Sequence, residues 1–163
     1  MKNPAFKDLW QKPKLFLALG LGSGLAPKAP GTFGSIAALI LVPFLLLVPI
    51  WFYALFLIVS IIFGIWLCDE VAKLLQTSDP ACIVWDEFVG IWLTFFFVSI
   101  HQLEHYWLWL LVGFGLFRIF DIFKPFPVSY FDQNIKGGLG IMLDDIAAGV
   151  LACFCLHLLI WLF

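Results

Sequence analysis

A chain of 163 residues that is 63% hydrophobic and only 12% charged, with a mean hydropathy of +1.05, is excluded as a soluble domain, since those carry about 25% charged and about 45–50% apolar residues. It has length for one domain and a handful of membrane spans. The formal net charge of −2 points to no nucleic acid and no acidic partner surface.

In chain order, residues 4–20 mix Lys7, Asp8, Lys12 and Lys14 with Phe6, Leu9, Trp10 and Phe16, which predicts a short interfacial helix. The apolar part of the N-terminal run MKNPAFKDLWQKPKLFLALGLGSG is short and broken by glycines, so it is expected to be retained rather than cleaved as a signal. Residues 21–35, LGSGLAPKAPGTFGS, read as a Gly/Pro-rich loop. Hydrophobic segments follow at about 36–48, 51–72, 83–100, 106–123 and 141–162. The first is short and holds Pro43, so its status as a full span stays open. The expected fold is an all-α integral membrane protein. It is a compact bundle of about four to five transmembrane helices plus the N-terminal interfacial helix. All of it is taken as one domain, with 1–35 as helix and loop and 36–163 as the bundle. Cys68, Cys82, Cys153 and Cys155 form no CxxC pair and read as inert thiols.

The joints set the expected orientation. Val48-Pro49-Ile50 and the joint from His101 to His105 hold no Lys or Arg. All nine basic residues fall in the N-terminal region, around 69–87 or around 118–138. With five crossings these regions share one side, and the positive-inside tendency makes it cytoplasmic. Among the acids only Glu104 falls on the other side.

Four stretches at that cytoplasmic edge carry polar chemistry. In GSGLAPKAPGTFGS, Gly22 to Ser35, glycines let backbone N–H groups approach an anion closely, and the loop runs into a helix N-terminus. Thr32, Ser35 and Lys28 add donors; the structural alternative is a connector with Ser35 as a helix cap. In DPACIVWDEFVG, Asp79-Pro80 resembles a helix cap followed by a first-turn proline. Asp86 and Glu87 would then lie about 9–10 Å along the helix, with Trp85 and Trp92 at an interface depth. An acid at mid-bilayer costs about 2.5–3.5 kcal/mol and less at the edge, so one acid here would be unremarkable, but two in succession in an otherwise apolar helix favour a function. In RIFDIFKPFP, Arg118, Asp121 and Lys124 recur every third residue and share a helix face before Pro125. They read either as a self-paired interfacial ladder or as an anion-binding surface with Arg118 forked onto phosphate oxygens. KGGLGIMLDDIAAG leads into the last helix with Asp144 and Asp145 in its first turns. The dipole favours acids there, but apolar neighbours on both sides embed them, and embedded acids are functional candidates.

Together, Asp86, Glu87, Asp121, Asp144 and Asp145 come from three helices and converge on one membrane face. So many carboxylates repel unless a cation neutralises them, and an oxygen-only ligand set favours Mg²⁺. With a phosphate-friendly loop, Arg118 and Lys124 alongside, the sum describes a metal-assisted phosphoryl site at a membrane surface.

The same stretches, GSGLAPKAPGTFGS, IVWDEFVG, FRIFDIFKPFP and GGLGIMLDDIAAGV, resemble the phosphatidylglycerophosphatase A family in order and spacing from about residue 20 to 150. The resemblance implies a Mg²⁺-dependent lipid phosphatase of the bacterial inner membrane, with its active site at the cytoplasmic face. Its substrate would be phosphatidylglycerol phosphate, and its products phosphatidylglycerol and inorganic phosphate. The family's acidic positions carry over to Asp79, Asp86, Glu87, Asp121, Asp144 and Asp145, and its basic ones to Arg118 and Lys124. Its loop carries over to Gly24, Pro27, Pro30, Gly31, Thr32, Gly34 and Ser35. Metal or catalytic roles are implied for Asp86, Glu87, Asp121, Asp144 and Asp145. Phosphate binding is implied for Gly31, Thr32, Gly34, Ser35, Arg118 and Lys124, and a secondary role for Asp79.

Other phosphatase chemistries are excluded by reading. No cysteine is followed by arginine at the Cys-x5-Arg spacing, and no aspartyl-phosphate DxDx(T/V) pattern occurs. His101, His105 and His157 lie away from the basic residues. Metal-activated water or an aspartate of the cluster remains as the nucleophile. The alternative from another class is a small ion- or proton-coupled transporter, which would place acids near mid-membrane and on both faces. Oligomeric state is not legible in the sequence.

Overall fold

The computed structural model describes residue 9 and residues 12–98 and 106–162. Part of the expected interfacial helix (Phe6, Lys7, Asp8 and Trp10) and the joint from His101 to His105, with Glu104, lie outside the described residues. The described residues form helices and turns with no strand. In order these are α1 (Pro13–Ala18), a 3₁₀ turn (Gly20–Leu25), α2 (Pro30–Leu39), α3 (Val42–Leu45), α4 (Ile50–Leu75), α5 (Trp85–Thr94), α6 (Tyr106–Phe123), α7 (Val128–Asn134) and α8 (Gly137–Leu162).

Three of them, α4, α6 and α8, are long and apolar enough to cross a membrane. At 1.5 Å per residue the 26-residue helices α4 and α8 reach about 39 Å, beyond a hydrocarbon core of about 30 Å. The other two expected segments fold as shorter pieces. Residues 36–48 divide between α2 and α3, because Pro43 supplies no N–H and its ring crowds the preceding turn. Residues 83–100 yield the ten-residue α5, about 15 Å long.

Helices α2, α5 and α8 run in one direction, and α4 and α6 return. Gly138 abuts the Ile65 carbonyl, Gly31 abuts Glu87, and Gly113 packs on Phe95 and Leu156. Three helix N-termini and two C-termini therefore meet at one end. Lys28, Lys73, Arg118, Lys124 and Lys136 lie at or next to those ends, and Lys14 joins them through an ion pair to Glu70 at 2.9 Å. The starts of α4 and α6 and the end of α8 carry the exposed Trp51, Trp107 and Trp161, as expected where helices leave hydrocarbon.

Close packing of α5 on α8 sets the register that matters. A Cβ on Gly149 would lie 2.7 Å from the Gly90 carbonyl oxygen, and one on Gly90 would lie 3.0 Å from the Asp145 carbonyl oxygen. Small residues let membrane helices approach this closely. Gly90 follows Asp86 by one turn and Gly149 follows Asp145 by one turn, so the contact holds the acids level. Polar tethers fix α5 on its other sides. Trp92 Nε1 donates to the Ala38 carbonyl (3.1 Å), Trp85 Nε1 to the Ser60 carbonyl (3.2 Å) and Tyr53 Oη to the Trp92 carbonyl (2.6 Å). Trp92 is buried and Trp85 half-buried, and their N–H groups serve carbonyls on neighbouring helices.

Three local expectations are corrected. The latter half of the Gly/Pro-rich stretch is helical. Ala29 takes a left-handed conformation (φ 50°) and α2 starts at Pro30, where proline's missing N–H costs nothing. Ser35 is thus inside the helix, not its cap, and its hydroxyl donates to the Gly31 carbonyl at 2.8 Å. Asp79-Pro80 caps no helix, since α5 begins at Trp85. The intervening chain is pinned by the Val84 N–H donating to the Ala18 carbonyl at 2.9 Å, which holds it out of helix. Finally, Lys124 lies past the end of α6 with φ 43°, so it leaves the face shared by Arg118 and Asp121.

Candidate active site

A cavity of about 640 Å³ opens at the charged end of the bundle. Asp79, Asp86, Glu87, Asp121, Asp144 and Asp145 all line it, as do Gly31, Arg118 and Lys124. Thr32, Gly34 and Ser35 are not among its lining residues. Gly34 packs on Val84, where a Cβ would lie 2.6 Å from the valine Cβ, and the buried Ser35 reaches the cavity through Arg118, whose Nη1 lies 3.5 Å from its hydroxyl. Gly24 abuts the Cys82 carbonyl beneath the loop.

The six acids divide by partner. Asp86, Glu87 and Asp145 each offer an oxygen within 4.8 Å of the others. Asp86 and Glu87 occupy the first turn of α5, where the macrodipole favours anions. Asp145 sits about two turns into α8 and is only 4% exposed. Asp86 Oδ1 accepts the Glu87 backbone N–H at 3.1 Å, while Glu87 Oε2 is buried without a hydrogen-bond partner. A buried orphan oxygen amid carboxylates is costly. A divalent cation at this cluster would relieve both the repulsion and the unmet acceptor, so the donors present fit a hard, oxygen-seeking ion. Gly31 borders the cluster so closely that any Cβ there would run into Glu87 Oε1, and it would lie 3.4 Å from Arg118 Nη1.

The other two central acids hold basic side chains. Arg118 Nη1 donates to Asp121 Oδ2 at 2.5 Å, both side chains being 15% exposed; its Nε is buried and unpartnered. Lys124 Nζ donates to Asp144 Oδ2 at 2.8 Å and to Asp132 Oδ1 at 2.5 Å. Burial works against the Lys124 ammonium, but the hydrogen bonds and charges of Asp132 and Asp144 outweigh it, so its pKa is raised and the side chain stays cationic. Asp79 sits exposed on the rim, in the chain between α4 and α5.

Asp132 and Lys136 also line the cavity and were missed by sequence reasoning. The signal was faint: two charges in a connector between apolar helices. Only the short α7 folds that connector back over the site. The cysteines are free, and Cys68 and Cys82 are buried; burial also pushes the Cys82 thiol pKa up, which keeps it unreactive.

A helical membrane bundle with a cation-ready acid cluster, an arginine and a lysine in one end cavity has the parts of an integral membrane enzyme for phosphate-ester hydrolysis. Comparison with known proteins makes the class specific. The family model described as phosphatidylglycerophosphatase A matches residues 16–160, and the chain belongs to that family of phosphoric monoester hydrolases. It is 42% identical over 145 residues to the phosphatidylglycerophosphatase A of Escherichia coli (strain K12), covering 89% of this chain and 82% of that one. The Haemophilus influenzae protein of the same name is 42% identical over 151 residues, covering 92% and 90%. A putative phosphatidylinositol-3-phosphatase of Bacteroides thetaiotaomicron is 34% identical over 166 residues, covering 99% and 98%. No solved structure matches the chain.

Proposed function

We propose that this enzyme hydrolyses phosphatidylglycerol phosphate to phosphatidylglycerol and inorganic phosphate at the cytoplasmic face of a bacterial inner membrane, with Mg²⁺ as cofactor. The observation that carries this reading is the Asp86, Glu87 and Asp145 cluster, with its oxygens within 4.8 Å of one another, lining the same cavity as Arg118 and Lys124. The basic side chains gathered at that end support the cytoplasmic placement. A transporter is disfavoured, because the acids lining the cavity gather at one end of the helices.

Asp86, Glu87 and Asp145 would hold the ion, with Asp121 and Asp144 beside it. When bound, Mg²⁺ supplies Lewis acidity and cancels negative charge around the phosphoryl group. The chain's own groups do the rest. Arg118 is oriented by Asp121 and lines the cavity, where its guanidinium would face a phosphoryl oxygen. Lys124 provides a second cation, and both favour the charge that builds on the phosphoryl oxygens. Water attacks phosphorus as the bond to the glycerol oxygen breaks. A carboxylate of the cluster takes the water's proton and returns it to the departing glycerol oxygen, which leaves as a hydroxyl while the water's oxygen stays on the phosphate. The substrate's acyl chains remain in the bilayer, so the headgroup enters sideways.

The test is phosphate release by detergent-solubilised protein from phosphatidylglycerol phosphate, phosphatidic acid and phosphatidylinositol 3-phosphate, each with and without EDTA. Release is expected from the first substrate, abolished by EDTA and restored by Mg²⁺. Release that EDTA leaves intact would remove the metal, and preference for another lipid would remove the assigned substrate.

A further inference from the structure

Among the described residues, Lys124 is the one cavity-lining basic residue shared by two carboxylates from different helices. Asp144 comes from α8 and Asp132 from α7, at 2.8 and 2.5 Å from its Nζ. The three side chains grade from 14% exposed at Asp144 through 31% at Lys124 to 39% at Asp132. The lysine backbone is itself held. Its N–H donates to the Phe120 carbonyl at 3.0 Å, its φ is +43°, and Pro125 follows. A non-glycine residue keeps such a conformation only where its surroundings impose it. The short α7 that carries Asp132 is anchored beneath by the fully buried Val128.

Two carboxylates on one ammonium leave an excess negative charge beside a site for an anionic group. That arrangement makes sense if the partners have separate duties. Asp144 adjoins Asp145 on α8, so it ties the ammonium to the side of the cluster, whereas Asp132 ties it to the wall formed by α7. Without Asp132, the ammonium would answer to Asp144 alone and would move with it.

We infer that Asp132 is a positioning residue, holding the Lys124 ammonium at the cavity wall where it meets the phosphoryl group of the substrate lipid. This inference rests on the function proposed above. Asp132 acts only through Lys124, and that separates it from a structural role for the α7 connector.

The test is a double-mutant cycle on the full-length protein in detergent with Mg²⁺, reading kcat/KM on phosphatidylglycerol phosphate. Asp132→Asn should lower kcat/KM by about five- to tenfold, as expected for losing one charge-assisted hydrogen bond. In a Lys124→Gln background the same change should cost less than about twofold, because interacting sites are not additive. Asp132→Glu should recover most of the loss, and thermal unfolding should be the same for all these proteins. An equal fold-loss in both backgrounds, or no loss with Lys124 present, would overturn the positioning role. A wild type that releases no phosphate from this lipid would overturn the proposed function and this inference with it. Release by the wild type with an additive cycle would overturn the inference alone.

Discussion

The start of α5 and a point about two turns into α8 each present two adjacent acids to the same cavity, but they use them differently. At α5, Asp86 and Glu87 both join the cation-ready cluster. At α8 the pair divides: Asp145 joins that cluster, while Asp144 turns to Lys124. Successive residues on a helix point about 100° apart, so neighbours decide the outcome. Close approach at Gly90 and Gly149 brings α8 against α5 and aims Asp145 inward. The Asp144 direction meets the lysine at the end of α6. Adjacency in sequence therefore does not imply shared duty, and substitution can separate the two roles.

The largest effect is expected from the three clustered acids. Asp145→Asn, Asp86→Asn and Glu87→Gln should each lower phosphate release by at least about 100-fold, since even outer-shell changes at metal sites cost about 10–100-fold. Each should leave membrane insertion and detergent unfolding intact, because an amide keeps the shape and removes like-charge repulsion. Turnover within a few-fold of wild type in Asp145→Asn would break the comparison at its centre.

Next comes Gly31→Ala. A methyl group there runs into Glu87 Oε1 and must displace that carboxylate, so a loss of about 10–100-fold is expected. Alanine in place of glycine inside a helix ordinarily favours folding by about 1 kcal/mol, so inactivity should come without instability. Gly115→Ala is the matched control, because nothing lies within 4 Å of a Cβ there; its activity should equal wild type. Loss of activity in both variants would point to general helix effects and remove Gly31 from the site.

Asp144→Asn should cost less than Asp145→Asn, about tenfold in kcat/KM. It loosens Lys124 without emptying the cluster of a ligand. A loss as large as that of Asp145→Asn would erase the distinction between the two α8 acids and place both on the ion.

The helical membrane class, the end of the bundle that carries the charge and the acids worth watching were legible, because hydropathy, basic joints and embedded carboxylates are local signals. The five central acids do line one cavity, but their pairing was not legible. Which acid meets a cation and which meets a lysine depends on the glycine contact between α5 and α8 and on Lys124 leaving the helical face. Neither is written in periodicity. Helix boundaries failed where tertiary contacts overrode local preference. Asp79-Pro80 has the chemistry of a cap, yet the Val84 N–H is taken by the Ala18 carbonyl and the helix starts later. Likewise the glycines and prolines of 21–35 read as loop, but Pro30 begins a helix that carries Gly31 to Glu87.

That displaced boundary makes the smallest prediction and tests it. As a cap, Asp79 would stabilise α5, and replacing it would cost about 0.5–2 kcal/mol of stability. As an exposed rim charge in the chain before α5, it contributes only through a screened field. Asp79→Asn should therefore leave thermal unfolding unchanged and alter kcat/KM by less than about threefold, with the difference shrinking as salt is raised. Asp79 would thus differ from Asp86 by depth: both are acids at the mouth of one cavity, but water screens the first, whereas the second sits among carboxylates that must share an ion. A marked fall in unfolding temperature would restore the capping role. A salt-independent loss as deep as that of Asp86→Asn would move Asp79 from the rim to the cluster.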